Sequence, residues 1–243
     1  MEYGIQMYSL RDLTPNDMEG ALRTVAALGY KKIEFAGFFD NSAAKVASWL
    51  DRFGLSVSGT HTGWKELAAD RFAETVAYHK ELGNTNIIIP GADLSTKEKL
   101  DDFIDFVNEV QPKLAAEGIR LGFHNHSKEF LPTDYGQIIH DELQARTSLG
   151  FEIDTYWAYV AKQDPIALME KLKDRVHVIH IKDGTAEGKG YALGEGTAPV
   201  AAVRKKAIEL GMLMVVESEG LQPTGPDEVG RCMQYLRRLD LAD

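Results

Sequence analysis

The side chains able to do chemistry fall in short clusters: Glu34, His61, the run His124-Asn125-His126 with Glu129 just beyond, Glu152-Ile153-Asp154, His180-Ile181-Lys182-Asp183 and Glu217-Ser218-Glu219. Each sits at the end of a β-rich stretch. Alternate residues of a strand share a face, so His124 goes with His126, Glu152 with Asp154, His180 with Lys182, and Glu217 with Glu219. Two or three carboxylates with one or two imidazoles form a ligand set for a divalent cation such as Mn²⁺, Mg²⁺, Co²⁺ or Zn²⁺. The same groups also serve as general acids and bases. The single cysteine, Cys232, rules out a thiolate zinc knuckle and an internal disulfide. One strand-end Glu or His is usually structural, but five strands ending this way together point to a metal or acid–base site. His177 has the opposite parity to His180, and His79 and His140 lie in helical pattern; these three read as structural.

The elements that must position these groups are strands of period two alternating with longer helical stretches. The strands are predicted at Tyr3–Tyr8, Lys32–Ala36, Ser56–Thr60, Asn86–Pro90, Ile119–Asn125, Leu149–Asp154, Val176–Lys182 and Met212–Ser218. Helices are predicted at Pro15–Leu28, Lys65–Leu82, Lys97–Glu117, Pro165–Leu172, Pro199–Leu210 and Pro226–Leu239, with Pro112 expected to kink or divide the third. Leu28-Gly29, Phe53-Gly54, Leu82-Gly83, Glu117-Gly118 and Leu210-Gly211 punctuate helix ends before strands. Eight βα units at about 30 residues each match the size of a βαβ repeat. The first βα turn, Tyr8-Ser9-Leu10-Arg11-Asp12, carries no phosphate-binding glycine pattern, which disfavours an open nucleotide-binding sheet. The expected fold is therefore a single α/β domain over residues 1–243, a (β/α)8 TIM barrel whose strand C-termini carry the chemistry.

Composition agrees. Of 243 residues, 44% are hydrophobic and 26% charged, as in an ordinary globular protein, and the net charge of −10 would repel nucleic acid. No apolar run approaches the ~20 residues of a membrane span, and the N-terminus lacks the basic and apolar regions of an export signal. A cytoplasmic protein is expected.

With these residues in place, the chain resembles the xylose isomerase-like TIM-barrel superfamily, in particular its sugar phosphate isomerase/epimerase members, over nearly its whole length. The most specific segment is His124-Asn125-His126-Ser127-Lys128-Glu129-Phe130, which resembles the H-N-H-x-x-E-F signature of one branch; Glu152-Ile153-Asp154 and His180-Ile181-Lys182-Asp183 match as well. The resemblance implies one divalent metal held by residues after strands five to eight, here Glu129, Asp154, His180 and Glu217. Many relatives carry the strand-five Glu at the strand end itself, where this chain has histidines. Either Glu129 reaches back or one of those histidines takes its position.

The same resemblance implies proton abstraction next to a metal-bound sugar carbonyl, with Glu129 and Glu217 as the acid–base pair. Asp154 and His180 would mainly hold the ion. His124, His126 and Lys182 are candidates for substrate contact, Glu34 and His61 for the opposite wall, and Trp64 and Trp157 for covering a sugar ring. The implied partner is a small sugar or sugar derivative, and self-association into a homo-oligomer is left open. A lyase or hydrolase of 3-keto-glycosides is the nearest rival activity, and a non-catalytic sugar-binding barrel a more distant one. DNA-repair relatives carry a His three residues after the strand-six Asp; this chain has Trp157 there, which disfavours that role.

Overall fold

The computed structural model describes residues 1–242. Eight parallel strands close into a barrel: β1 (Gly4–Gln6), β2 (Lys32–Phe35), β3 (Ser56–His61), β4 (Asn86–Ile89), β5 (Arg120–His124), β6 (Gly150–Asp154), β7 (Val176–Ile181) and β8 (Leu213–Val216). Neighbours in sequence are neighbours in space, and β8 pairs β1 to complete the ring. The outward faces of these strands are fully buried beneath helices, as at Ile87, Ile89, Phe123, Ile153, Ile179 and Ile181. Burial on both faces is what a parallel barrel requires.

The helices described are α1 (Met18–Leu28), α2 (Ala43–Phe53), α3 (Phe72–Leu82), α4 (Lys97–Ala116), α5 (Ile139–Arg146), α6 (Thr155–Val160), α7 (Pro165–Lys171), α8 (Val200–Leu210) and α9 (Gly225–Asp240). All five predicted glycine stops have positive φ, the conformation that lets the next residue turn back toward the barrel. Three expectations change. The first strand is shorter than predicted: Gln6 turns its side chain to accept the Tyr8 N–H and starts a 3₁₀ turn over Met7–Leu10. The predicted helix Lys65–Leu82 is two pieces, a 3₁₀ turn at Trp64–Leu67 and α3. Leu67 and Val76, both buried, lie nine residues apart and would fall on opposite faces of one helix at about 100° per residue, so a break re-phases them. Pro112 does not divide α4. Pro112 and Asn108, the residue whose carbonyl it leaves without an N–H, are both exposed, so water can satisfy that carbonyl.

Strand register sets the site. His124 lies beside Glu152, Asp154 beside His180, and Gln6 beside Glu34. Adjacent strands lie ~4.8 Å apart, so this stagger brings same-face groups from successive strands within reach of one another inside the barrel.

Candidate metal centre

The His124–Phe130 segment acts as a set of linked devices. β5 ends at His124. The Asn125 side chain then clamps the next strand at both backbone groups of one residue: its Oδ1 accepts the Asp154 N–H at 3.1 Å and its Nδ2 donates to the Asp154 carbonyl at 3.2 Å. Glu129 lies on the following 3₁₀ turn, Lys128–Phe130, and its Oε2 accepts the backbone N–H of His126 at 2.8 Å. Phe130 stacks on His140, with ring centroids 4.4 Å apart. Asp154 caps α6, its Oδ1 accepting from Tyr156 and Trp157 N–H at 2.9 Å each. Its other oxygen is thereby directed elsewhere.

Two overlapping groups of side chains meet inside the barrel. His61, His124, Glu152 and His180 form one, and His124, Asp154, His180 and Glu217 the other; within each, the potential ligand atoms lie no more than 4.8 Å apart. They differ in how far they satisfy themselves. In the first group the His61 Nε2 lies 2.8 Å from Glu152 Oε2, and the His180 Nε2 is 2.7 Å from Glu34 Oε1, which also accepts from Gln6 Nε2 at 2.6 Å. In the second, His124 Nε2, Asp154 Oδ2 and His180 Nδ1 are buried without a hydrogen-bond partner among the described residues. The spacings there are open: 3.6 Å from His124 Nε2 to Asp154 Oδ2, and 3.3 Å from His180 Nδ1 to Glu217 Oε2 without hydrogen-bond alignment.

Buried polar atoms are almost always paired, and each one left alone costs about 1–3 kcal/mol. Two imidazole nitrogens and a carboxylate oxygen without partners, together with the Glu217 carboxylate, fit a divalent cation of borderline or hard character, which would take the place of the proton that the surrounding carboxylates favour on His180. In the first group His61, Glu152 and His180 are already drawn into hydrogen bonds, though Glu152 Oε1 stays without a partner.

Electrostatics separate the carboxylates. Burial pushes Glu34 up, but the charge and hydrogen bond of His180 override it and hold Glu34 at about 2. Burial, reinforced by the charge of Glu34, pushes Glu152 well above the usual carboxylate range. For Glu217 burial is outweighed by Lys182 and His180, which hold it well below that range, and Asp154 is lowered by Lys182 in the same way. Lys182 is fully buried, with its Nζ 3.1 Å from Glu217 Oε2, 2.5 Å from Glu219 Oε1 and 4.9 Å above the Trp157 ring. Desolvation keeps His61 and His126 uncharged, at about 3 and about 4.

A cavity of about 530 Å³ opens over the second group, walled by His61, His124, His126, Trp157, Glu217 and Glu219 together with Tyr8 and Pro90. His126 Nδ1 and Trp157 Nε1 are buried there without partners, so the wall holds polar groups for a ligand.

Of the residues expected from the sequence, Asp154, His180 and Glu217 come together, with His124 as the fourth member. Glu129 does not join them: its carboxylate is turned onto the His126 backbone, with the Lys128 ammonium 3.8 Å away. Glu34 is fully buried against His180 and is not part of the cavity wall. Trp64 lines a neighbouring cavity of about 740 Å³ and packs edge-on to Phe106. Three contributors had no role assigned from sequence. Glu152 was visible as a strand end two residues before Asp154, whereas the Asn125 clamp left no periodic signal. Asp183, beside Lys182, accepts four backbone N–H groups, those of Gly184, Gly194, Gly196 and Ala198, and so gathers the loop after β7.

No curated protein matches the chain. Two solved structures of a sugar phosphate isomerase/epimerase from Parabacteroides distasonis are similar: one at 25% identity and TM-score 0.83, covering 97% of this chain and 93% of its own, the other at 26% and 0.82, covering 97% of each. A probable 3-DHS dehydratase from Bacillus anthracis shares the fold at 12% identity and TM-score 0.80, over 98% of this chain and 99% of its own. The model of the xylose isomerase-like TIM barrel family matches residues 22–239, and the chain belongs to that family.

Proposed function

We propose that the protein is a divalent-metal-dependent enzyme that isomerises or epimerises a sugar or sugar phosphate by removing a proton next to a carbonyl. The observation that carries this reading is the convergence of orphaned His124, Asp154 and His180 atoms with the Glu217 carboxylate beneath a cavity with polar walls. These four residues would hold the cation, which would supply Lewis-acid polarisation of the carbonyl and neighbouring hydroxyl oxygens.

The chain's own groups do the rest. Glu217, kept ionised by Lys182, is the acid–base group at the carbon beside the carbonyl. Lys182, shared by Glu217 and Glu219, offers an ammonium to a substrate oxygen. His126 and Trp157 present N–H or lone-pair partners to sugar hydroxyls, and the indole face covers the ring's C–H surface. Glu129 holds the His126 loop in position. The Parabacteroides distasonis structures named sugar phosphate isomerase/epimerase support this class of substrate.

One observation favours a second reading. The cavity carboxylates, Glu217 and Glu219, both come from the end of β8, while Glu129 on the far side is engaged by backbone. Epimerisation returns a proton to the opposite face, whereas aldose–ketose isomerisation and elimination each use a base on one face only, elimination adding a leaving group one carbon further on. A lyase or hydrolase of 3-keto-glycosides would use this one-sided arrangement. Incubating metal-loaded protein in D₂O with aldoses, ketoses and 3-keto-glycosides separates the two: deuterium incorporation with a changed sugar supports the first, aglycone release the second. Neither outcome with any such substrate refutes both.

A further inference from the structure

We infer that Glu34 is a positioning residue for His180, accepting its Nε2–H across the barrel interior so that Nδ1 is the nitrogen presented to Asp154 and Glu217. The inference rests on the metal reading above. Glu34 stands on β2 and His180 on β7, strands that are not neighbours, and their side chains meet at 2.7 Å, both fully buried. An imidazole has two nitrogens, and the partner of one decides what the other can do. Here Nε2 is engaged and Nδ1 is orphaned 3.3 Å from Glu217 Oε2 and 4.0 Å from Asp154 Oδ2.

Glu34 is itself anchored. Its Oε1 takes a 2.6 Å hydrogen bond from Gln6 Nε2, and Gln6 is fixed in turn by the Tyr8 N–H at 3.1 Å. The chain Tyr8–Gln6–Glu34–His180 therefore links the first βα turn to the candidate ligand. Glu152 is the competing acceptor, but its Oε2 lies farther from His180 Nε2, at 3.2 Å, and is closer to His61, at 2.8 Å. The other Glu34 oxygen, Oε2, has no partner. An amide at that position keeps the Oε1 acceptor for His180 and Gln6, so Glu34→Gln is a conservative probe and Glu34→Ala the full removal.

The test is Zn²⁺ binding by competition with a chromogenic chelator, together with ¹H–¹⁵N spectra of the histidine rings in Zn²⁺-loaded protein, His180 being assigned by its loss in His180→Gln. The unaltered protein should show His180 protonated at Nε2 and bound through Nδ1. Glu34→Ala should lose ten- to a hundredfold in affinity and its protected Nε2–H signal. Glu34→Gln should retain that signal, shifted because an amide is a weaker acceptor, and lose less than tenfold. Affinity within twofold of the unaltered protein in a folded Glu34→Ala overturns the inference, as does a His180 bound through Nε2. Should Glu34→Ala fail to fold, an unshifted Nε2–H in Glu34→Gln overturns it equally. A protein that takes up no Zn²⁺ refutes the metal reading as a whole, whereas one that binds through the wrong nitrogen refutes only this inference.

Discussion

Asp154 allows stability and ligation to be separated, because its two oxygens have different tasks. Oδ1 caps α6 through two backbone N–H groups, and Oδ2 is an orphan facing the cluster. Asp154→Asn should keep the cap through its carbonyl oxygen while replacing the ligating oxygen with an NH₂ that cannot coordinate. Asp154→Ala loses both. Losing an N-cap costs about 1 kcal/mol, and at this chain length each kcal/mol moves Tm by about 2–4 °C. The metal-free Asn variant should therefore melt within about 2 °C of the unaltered protein, and the Ala variant about 2–4 °C lower. A cation at 100 times its Kd stabilises by about 2.7 kcal/mol, raising Tm by roughly 5–11 °C. If removing the carboxylate weakens binding a hundredfold, the same concentration gives only RT ln 2, about 0.4 kcal/mol, and a shift of roughly 1–2 °C. Differential scanning fluorimetry with and without Mn²⁺ measures all four values. A full metal-induced shift in Asp154→Asn would refute the reasoning.

Other perturbations test neighbouring parts of the account. His124→Ala should abolish high-affinity metal binding while Glu129→Gln, which keeps an acceptor for the His126 N–H, should leave it within about threefold; isothermal titration reads both, and the reverse pattern would restore Glu129 as the strand-five ligand. Glu217→Gln should lose at least a hundredfold in deuterium exchange of a substrate sugar, with the fold unchanged by circular dichroism. His79 is buried in α3, accepts a hydrogen bond from Asn84 at 3.0 Å and is held at about 4 by burial. The unfolded state thus binds a proton below about 6.5 that the native state refuses, so stability falls as pH drops from about 6.5 to about 4, by on the order of 3 kcal/mol. Thermal melts across that window should be flatter for His79→Gln, and equal slopes would count against this assignment.

The fold was legible because eight strands and their glycine stops repeat one signal, and a barrel is the closed solution to that repeat. The grouping of Asp154, His180 and Glu217 was expected from the family resemblance, and period two accounts for their sharing the inward face with their neighbours Glu152, Lys182 and Glu219. The identity of the fourth group was not legible. Choosing among His124, His126 and Glu129 depends on a short 3₁₀ turn at Lys128–Phe130 that directs the Glu129 carboxylate to a backbone N–H, and no periodicity encodes that direction. The burial of Glu34 against His180 was equally hidden. It results from register across strands that are distant both in sequence and around the ring.

The central claim is that one cation sits among His124, Asp154, His180 and Glu217. Anomalous diffraction at the manganese edge from crystals grown with Mn²⁺ tests it most directly. A single strong peak within bonding distance of those four side chains is the predicted result; a peak held by Glu129, or no ordered ion at saturating Mn²⁺, would contradict it.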